Sequence, residues 1–200
     1  SAEFRINNYV KPGKNSLVLK IFRWSTGSYL ECQDFWRISG IERDLFLWSQ
    51  PKTSLRDFRV KSILDDSYSN GIFELETTIS NYNPGVSHAE VSYELLDGAG
   101  KTVASGSKPV SIQGNGENAI KFDAELPNVA TWTSEQPNLY KLLITVQKEG
   151  EKGGEVVPYP VGFRRYEIKA VRTGDRIDRL FLVNGQPIKL KGVNIHETNP

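Results

Sequence analysis

The chain reads as an all-β protein built around an immunoglobulin-like sandwich. Between Thr53 and Val161 apolar residues recur with period 2 in short runs, the pattern of strands that bury one face. Clusters of turn-forming residues such as Asn83-Pro84-Gly85 and Asp97-Gly98 separate these runs at fairly regular spacing, and no helical period intervenes. Seven short strands in about 110 residues fit a two-sheet sandwich of immunoglobulin type. Because the chain has a single cysteine, the architecture is expected without the inter-sheet disulfide of antibody domains.

The elements follow in order. Phe4, Ile6 and Tyr9 outline an apolar face ahead of the Pro12-Gly13 turn. Ser16 to Trp24 alternates Leu17, Leu19, Ile21 and Arg23 against Val18, Lys20, Phe22 and Trp24, which predicts a strand. Ser25 to Gln33 is a loop. Ile41, Arg43, Leu45 and Leu47 then alternate with Glu42, Asp44, Phe46 and Trp48, predicting a strand with apolar side chains on both faces that should be covered on both, and Pro51 stops it. About three strands and a long loop are few for an independent sheet. They read either as the closing part of a sandwich or as a small three-stranded subdomain packed on its neighbour.

In the middle of the chain, Phe58, Val60 and Ser62 share a face, and Asp65-Asp66 with Ser69-Asn70-Gly71 mark a turn. Phe73, Leu75, Thr77 and Ile79 alternate with Ile72, Glu74, Glu76 and Thr78; Val91, Tyr93 and Leu95 alternate with Glu90, Ser92 and Glu94. Lys101 to Ser107 and Glu117 to Leu126 alternate less clearly, and Leu142, Ile144 and Val146 restore the pattern. After Val161, GFRRYEIKAV predicts a crossing strand. Asn184-Gly185, flanked by Leu180, Leu182, Val183 and by Ile188, Leu190, predicts a hairpin. Gly192-Val193-Asn194 predicts a short strand running into Ile195-His196-Glu197-Thr198-Asn199-Pro200.

Composition narrows the function. Lys and Arg number 25 and Asp and Glu 24, a net charge of +1, so no electrostatic case exists for nucleic acid or an anionic membrane surface. No apolar run approaches the roughly 18 residues of a membrane-spanning helix. The first residues, SAEFRINNYV, show neither a basic nor an apolar targeting region, which leaves a cytoplasmic and a periplasmic location both open. Cys32, with no His or other base near it in sequence, reads as a small half-buried residue and not a nucleophile, and His88 reads as a surface residue in a polar turn.

Three segments carry a family resemblance. RWSTGSYLECQ followed by DFWRISGIERDLFL resembles the end of the N-terminal sugar-binding domain of the β-galactosidases of glycoside hydrolase family 2. TWTSEQPNLYKLLI resembles a segment of their second domain, with Trp132, Pro137, Leu139 and Tyr140 expected to pack at a sandwich corner. GFRRYEI, NGQPIKLKGVN and HETNP resemble the lead into their (β/α)₈ barrel, a fold that needs about 250 residues. The resemblance implies that residues 1–51 are the C-terminal part of a galactose-binding-like jelly-roll domain, 52–163 an immunoglobulin-like domain, and 164–200 the start of a truncated TIM-barrel domain. By the same resemblance the chain is an internal fragment of an enzyme that hydrolyses terminal non-reducing β-D-galactose residues with retention. Family 2 also holds β-glucuronidases and β-mannosidases, between which CQDFWRISGI favours the galactosidases. The other reading is a non-catalytic β-sandwich that binds carbohydrate or protein.

A retaining glycosidase needs two carboxylates about 5–5.5 Å apart. In the family both lie on later barrel strands, no segment here matches them, and no catalytic residue is expected in this chain. Asp34 lies in a loop among Tyr29, Phe35 and Trp36; aromatic faces beside a fixed carboxylate suit a sugar, whose C–H faces stack and whose hydroxyls donate. A turn-capping Asp is the alternative. The resemblance makes Asp34 a contact to the galactose 6-hydroxyl and a sodium ligand in the full-length parent. It makes His196, at the end of the first barrel strand, a substrate-binding residue that helps hold the sugar in the transition state; without the barrel, a solvated tail is the alternative. The chain departs from the family pattern at Ile195, where Arg is usual. No cofactor is expected in the fragment, with magnesium and sodium implied for the parent. The implied partners are a β-galactoside, the remaining domains of the same chain and further copies in a homo-oligomer, with no nucleic acid or membrane.

Overall fold

A computed structural model describes residues 3–30, 40–41 and 43–194. The described residues fall into two units, those within Ser1–Trp48 and Gly192–Pro200, and Ser49–Lys191.

The larger unit contains the sandwich. Its strands are β1 Thr53–Leu64, β2 Gly71–Asn81, β3 Ser87–Leu96, β4 Thr102–Ile112, β5 Gly116–Leu126, β6 Tyr140–Lys148 and β7 Glu155–Val161. They pair antiparallel in two sheets, β1-β2-β5 and β4-β3-β6-β7. The expected alternation sets the core. Phe73, Leu75, Thr77 and Ile79 of β2, Val91, Tyr93 and Leu95 of β3, and Leu142, Ile144 and Val146 of β6 are all buried, while Glu74, Glu90 and Glu94 face out. Tyr93 joins the sheets through its ring, 5.4 Å from Phe73 and 5.1 Å from Phe122 of β5.

Two departures from plain alternation have local causes. In β1, Leu55 pairs with Ile79 and Asp57 with Thr78, so Arg56 is an extra residue in a bulge. The bulge changes the parity of the strand and lets Leu55 and Leu64, nine positions apart, both enter the core. β4 carries Pro109, and β7 carries Pro158 and Pro160. These two strands are the edges of their sheet, where a residue without an N–H leaves no ladder bond unmade.

A second, smaller sheet follows: β8 Tyr166–Thr173, β9 Arg176–Val183 and β10 Gln186–Pro187, in the order β10-β9-β8. The segment expected as a crossing strand therefore pairs with the next one in a hairpin of its own, turning at Gly174-Asp175 with Gly174 at φ +62°. The Asn184-Gly185 turn forms where expected, with φ +50° and +77°, as a type I′ turn requires. Its pairing, Gln186↔Val183 and Pro187↔Leu182, is followed by one more bond, from the Ile188 N–H to the Phe181 carbonyl (3.1 Å).

Three expectations are corrected. The strands predicted over Ser16–Trp24 and Ile41–Trp48 do not form among the described residues, nor does one at Gly192–Asn194. A strand is stable only beside a partner that takes its N–H and C=O groups, and no described strand pairs with any of these segments. The two-sided cover expected for the second segment is absent too: Leu45, Leu47 and Trp48 are 57%, 78% and 55% exposed. The regular element that does form there is a short helix, α1 Thr26–Leu30, where Ser25 N–H donates to Ser28 Oγ (3.1 Å) and Ser28 N–H to the Ser25 carbonyl (3.0 Å). At the sandwich corner Tyr140 is buried and Trp132 partly buried, while Pro137, bridged to Trp132, and Leu139 are exposed. His88 is on the surface as expected, although in β3 and not a turn, with Nδ1 2.9 Å from Ser111 Oγ.

Candidate functional site

Asp34 and His196 lie outside the described residues, as do Phe35, Trp36 and Cys32. Of the aromatic set around Asp34, Tyr29 is described, exposed on α1. What the structure does bring together is a polar cluster where the hairpin meets the sandwich.

The cluster starts from a loop. Between β1 and β2, Asp65 Oδ1 accepts the N–H groups of Ser67 (3.2 Å), Ser69 (3.3 Å) and Asn70 (3.2 Å) and the Ser67 hydroxyl (2.7 Å); Oδ2 accepts Asn70 Nδ2 (2.9 Å). The Ser67 hydroxyl, then the Asn70 amide and the two backbone N–H groups, hold the Asp65 carboxyl at about 2, against partial desolvation. So closed, the loop carries Tyr68 in a left-handed conformation, φ +57°. Its hydroxyl donates to Glu167 of β8 and accepts a hydrogen bond from Lys169. Its ring lies on the Asn184-Gly185 turn, so close that a Cβ added to Gly185 would fall 2.7 Å from a ring carbon.

Charge completes the contact. Arg165 pairs with Asp66 (2.7 Å) and Glu167 (3.4 Å), and Lys169 with Glu167 (3.1 Å). Glu167 is held below the usual carboxylate range, chiefly by the Tyr68 hydroxyl and then by Lys169. Lys169 is raised by the same two partners, and Arg165 first of all by Asp66. Glu167, Lys169 and Arg165 therefore stay charged around neutrality, which suits a fixed scaffold and not proton transfer near neutral pH. Asn184 adds a backbone clasp: its N–H donates to the Arg165 carbonyl (2.9 Å), its Oδ1 accepts the Arg165 N–H (2.9 Å), and its Nδ2 donates to the Trp132 carbonyl (3.0 Å).

At the start of β6 the Tyr140 hydroxyl accepts the N–H of Ala130 (2.9 Å), ten residues upstream, and its ring meets Phe163 edge-on at 5.2 Å. This is the tyrosine corner of immunoglobulin-like sandwiches. Elsewhere the outer face of β1-β2-β5 carries cross-strand ion pairs, Arg59–Glu76 (2.7 Å), Lys61–Glu74 (2.6 Å) and Lys121–Glu76 (3.4 Å), which are exposed and weak. Among the described residues, no group of three or more His, Cys, Asp or Glu side chains could hold a metal ion.

Sequence reasoning missed Tyr68, Glu167 and Asn184 as one cluster, because Tyr68 meets Glu167 across 99 positions and Asn184 meets Trp132 across 52, and strand periodicity reports only on neighbours within a strand. The one usable signal was an aromatic residue alone in the polar turn DDSYSNG.

The strand order and the tyrosine corner define an immunoglobulin-like sandwich. Residues 53–164 match the family model of glycosyl hydrolases family 2, and residues 1–51 match that of the family 2 sugar binding domain, so the chain belongs to glycosyl hydrolase family 2. It is 38% identical over 199 residues to a β-galactosidase of Streptococcus thermophilus, covering 99% of this chain and 18% of the relative. A β-galactosidase of Vibrio cholerae is 34% identical over 205 residues, covering 100% and 19%. The chain thus spans less than a fifth of the length of these relatives. Among solved structures, a β-glucuronidase of Parabacteroides merdae superposes with a TM-score of 0.58 at 23% identity over 71% of this chain and 16% of that one. A putative β-galactosidase of Bacteroides fragilis superposes with a TM-score of 0.55 at 19% identity over 66% and 18%. At that identity these structures speak for the fold alone.

Proposed function

We propose that this chain is part of a β-galactosidase that hydrolyses terminal non-reducing β-D-galactose residues with retention of configuration. The observation that carries this reading is the 38% identity to a β-galactosidase along 99% of the chain. In this reading residues 1–51, 52–163 and 164–200 are the end of a jelly-roll sugar-binding domain, the immunoglobulin-like sandwich and the start of the barrel domain. The two catalytic carboxylates belong to the remaining chain. These 200 residues supply scaffold and two substrate contacts, Asp34 to a sugar hydroxyl and His196 to the sugar in the transition state. Asp34 would also ligate sodium: a carboxylate gives the oxygen donors that hard cations take, and one side chain provides only part of a set. Magnesium is implied for the full-length enzyme together with sodium, and the assembled enzyme would be a homo-oligomer.

The test is made in the full-length enzyme. Asp34→Asn keeps the shape and removes the charge. Since hydrogen bonds to charged groups are worth about 1.5–3 kcal/mol, kcat/KM for a chromogenic β-galactoside should fall by about one to two powers of ten. The response to sodium should weaken in the same variant while the thermal midpoint holds. An unchanged kcat/KM and sodium response would reduce Asp34 to a turn-capping residue. The isolated chain should not turn over the substrate; activity that survives repurification would contradict the placement of both carboxylates elsewhere.

A further inference from the structure

Arg164 stands out at the junction of sandwich and hairpin. Its guanidinium lies 4.7 Å from the centre of the Trp132 ring and 5.5 Å from that of Tyr166. Two aromatic rings therefore fix it in place. Unlike its neighbour Arg165, it meets no carboxylate and no other hydrogen-bond acceptor among the described residues, and it is exposed. A guanidinium carries five N–H donors in a rigid fork that matches a carboxylate in two parallel bonds. Here the fork is oriented and unused.

The surface beside it is apolar. In the β8–β9 register Tyr166 is opposite Val183, Ile168 opposite Phe181, Ala170 opposite Arg179 and Arg172 opposite Ile177, so this face is apolar at the end beside Arg164 and carries two further exposed arginines toward the hairpin tip. Tyr166 and Phe181 stack at 6.0 Å, while Ile168 and Ile177 are 71% and 60% exposed. The opposite face is the one closed on the sandwich, through buried Leu182 and the contacts of Glu167 and Lys169 with Tyr68. A hairpin with one face closed on its neighbour and the other bare, apolar beside Arg164 and cationic toward its tip, is half of an interface.

We infer that this face is an interdomain contact, in which Arg164 receives a carboxylate set in an apolar surface of the same full-length enzyme. The inference rests on the proposed function. The relatives are about five times as long as this chain, so an enzyme of their size has ample surface outside these 200 residues to cover the hairpin. The charge of Arg164 and the apolar strip next to it state what that surface must present.

The experiment compares Arg164→Lys, Arg164→Gln and Ile168→Ser in two contexts, the 200-residue chain and the full-length enzyme, by the rate of native-state proteolysis at the hairpin. Lysine keeps a cation over the two rings but loses the fork, and it carries the test should the Gln variant fail to fold. In the full-length enzyme Arg164→Gln should speed cleavage by about thirtyfold or more, as expected for a desolvated charge pair broken on one side, and lysine should restore little of it. In the chain alone Arg164→Lys and Ile168→Ser should leave the rate within about twofold, since what they remove has no partner there. Equal effects in both contexts would make Arg164 an internal packing residue and overturn the inference, as would no effect in the full-length enzyme. A dimer of the chain that Ile168→Ser abolishes would show the occupant to be a second copy, which also overturns it. Proteolysis needs no turnover, so a full-length enzyme inactive on β-galactosides would count against the proposed function and leave this readout standing.

Discussion

Single residues hold this sandwich together at its ends. Tyr140 is the clearest case, because its hydroxyl is the partner of the Ala130 N–H. Tyr140→Phe strands that part-buried donor, and urea unfolding should show a loss of about 1–3 kcal/mol with an unchanged m-value. Gly185 is constrained twice, by φ +77° and by the Tyr68 ring. Gly185→Ala should destabilise by at least about 1–2 kcal/mol from the backbone alone, and by less in a Tyr68→Ala background that removes the clash; a cycle of the two variants measures the difference. Asp65 sets a pH dependence. Its folded value of about 2 lies below the ordinary 3.8, so its contribution is complete above about pH 4 and is lost as pH falls toward 2. Asp65→Asn should flatten acid unfolding in that window. The glycine of Asn184-Gly185 announces its turn in the sequence and the family resemblance placed Tyr140 at a sandwich corner, whereas the bonds that Asp65 and Tyr68 make are not legible there. The family resemblance supplied Asp34 and His196, since a carboxylate among aromatics and a histidine near a strand end are each too common to single out a site by period or composition alone.

At the scale of elements, legibility follows burial. β2, β3 and β6 were readable because each has one face in the core and one outside, so that buried residues recur at every second position. β7 escaped notice because Pro158 and Pro160 argue against a strand unless it is known to be an edge. The flanking segments erred the other way: their alternation is real, but pairing needs a neighbour that periodicity does not reveal. β7 also shows how the sheets are tied. Glu155, its first residue, accepts the Leu55 N–H (2.7 Å) and the Gln50 side-chain amide (2.8 Å). Those bonds anchor β1 just before its bulge. Glu155→Ala should raise the exchange rate of the Leu55 amide by about tenfold or more while the amides of β2 and β3 keep their protection, as hydrogen-exchange mass spectrometry or NMR would show.

Across the whole molecule, apolar surface is distributed unevenly. Among the described residues, sixteen large apolar side chains within 4–48 are exposed, Phe22, Phe46 and Leu47 among them, against twelve in the far longer stretch 49–191. Surface of that extent marks a face that other protein covers, or one that associates when left bare. Ser49–Lys191, in contrast, contains both sheets of the sandwich, its buried core and the polar clasp on the hairpin. Residues 49–191 produced alone should therefore fold and unfold in one cooperative transition, with the strongest hydrogen-exchange protection in 72–80, 90–96 and 140–147. At about 10 μM, a concentration at which exposed apolar surface already drives association, the full 200 residues should sediment as oligomers and residues 49–191 as a monomer. Replacing Phe46 and Leu47 together by serine should shift the longer chain toward the monomer. Monomeric behaviour of the unsubstituted 200 residues across that range would show that the exposed side chains of 4–48 do not associate, and that their apolar character serves another purpose.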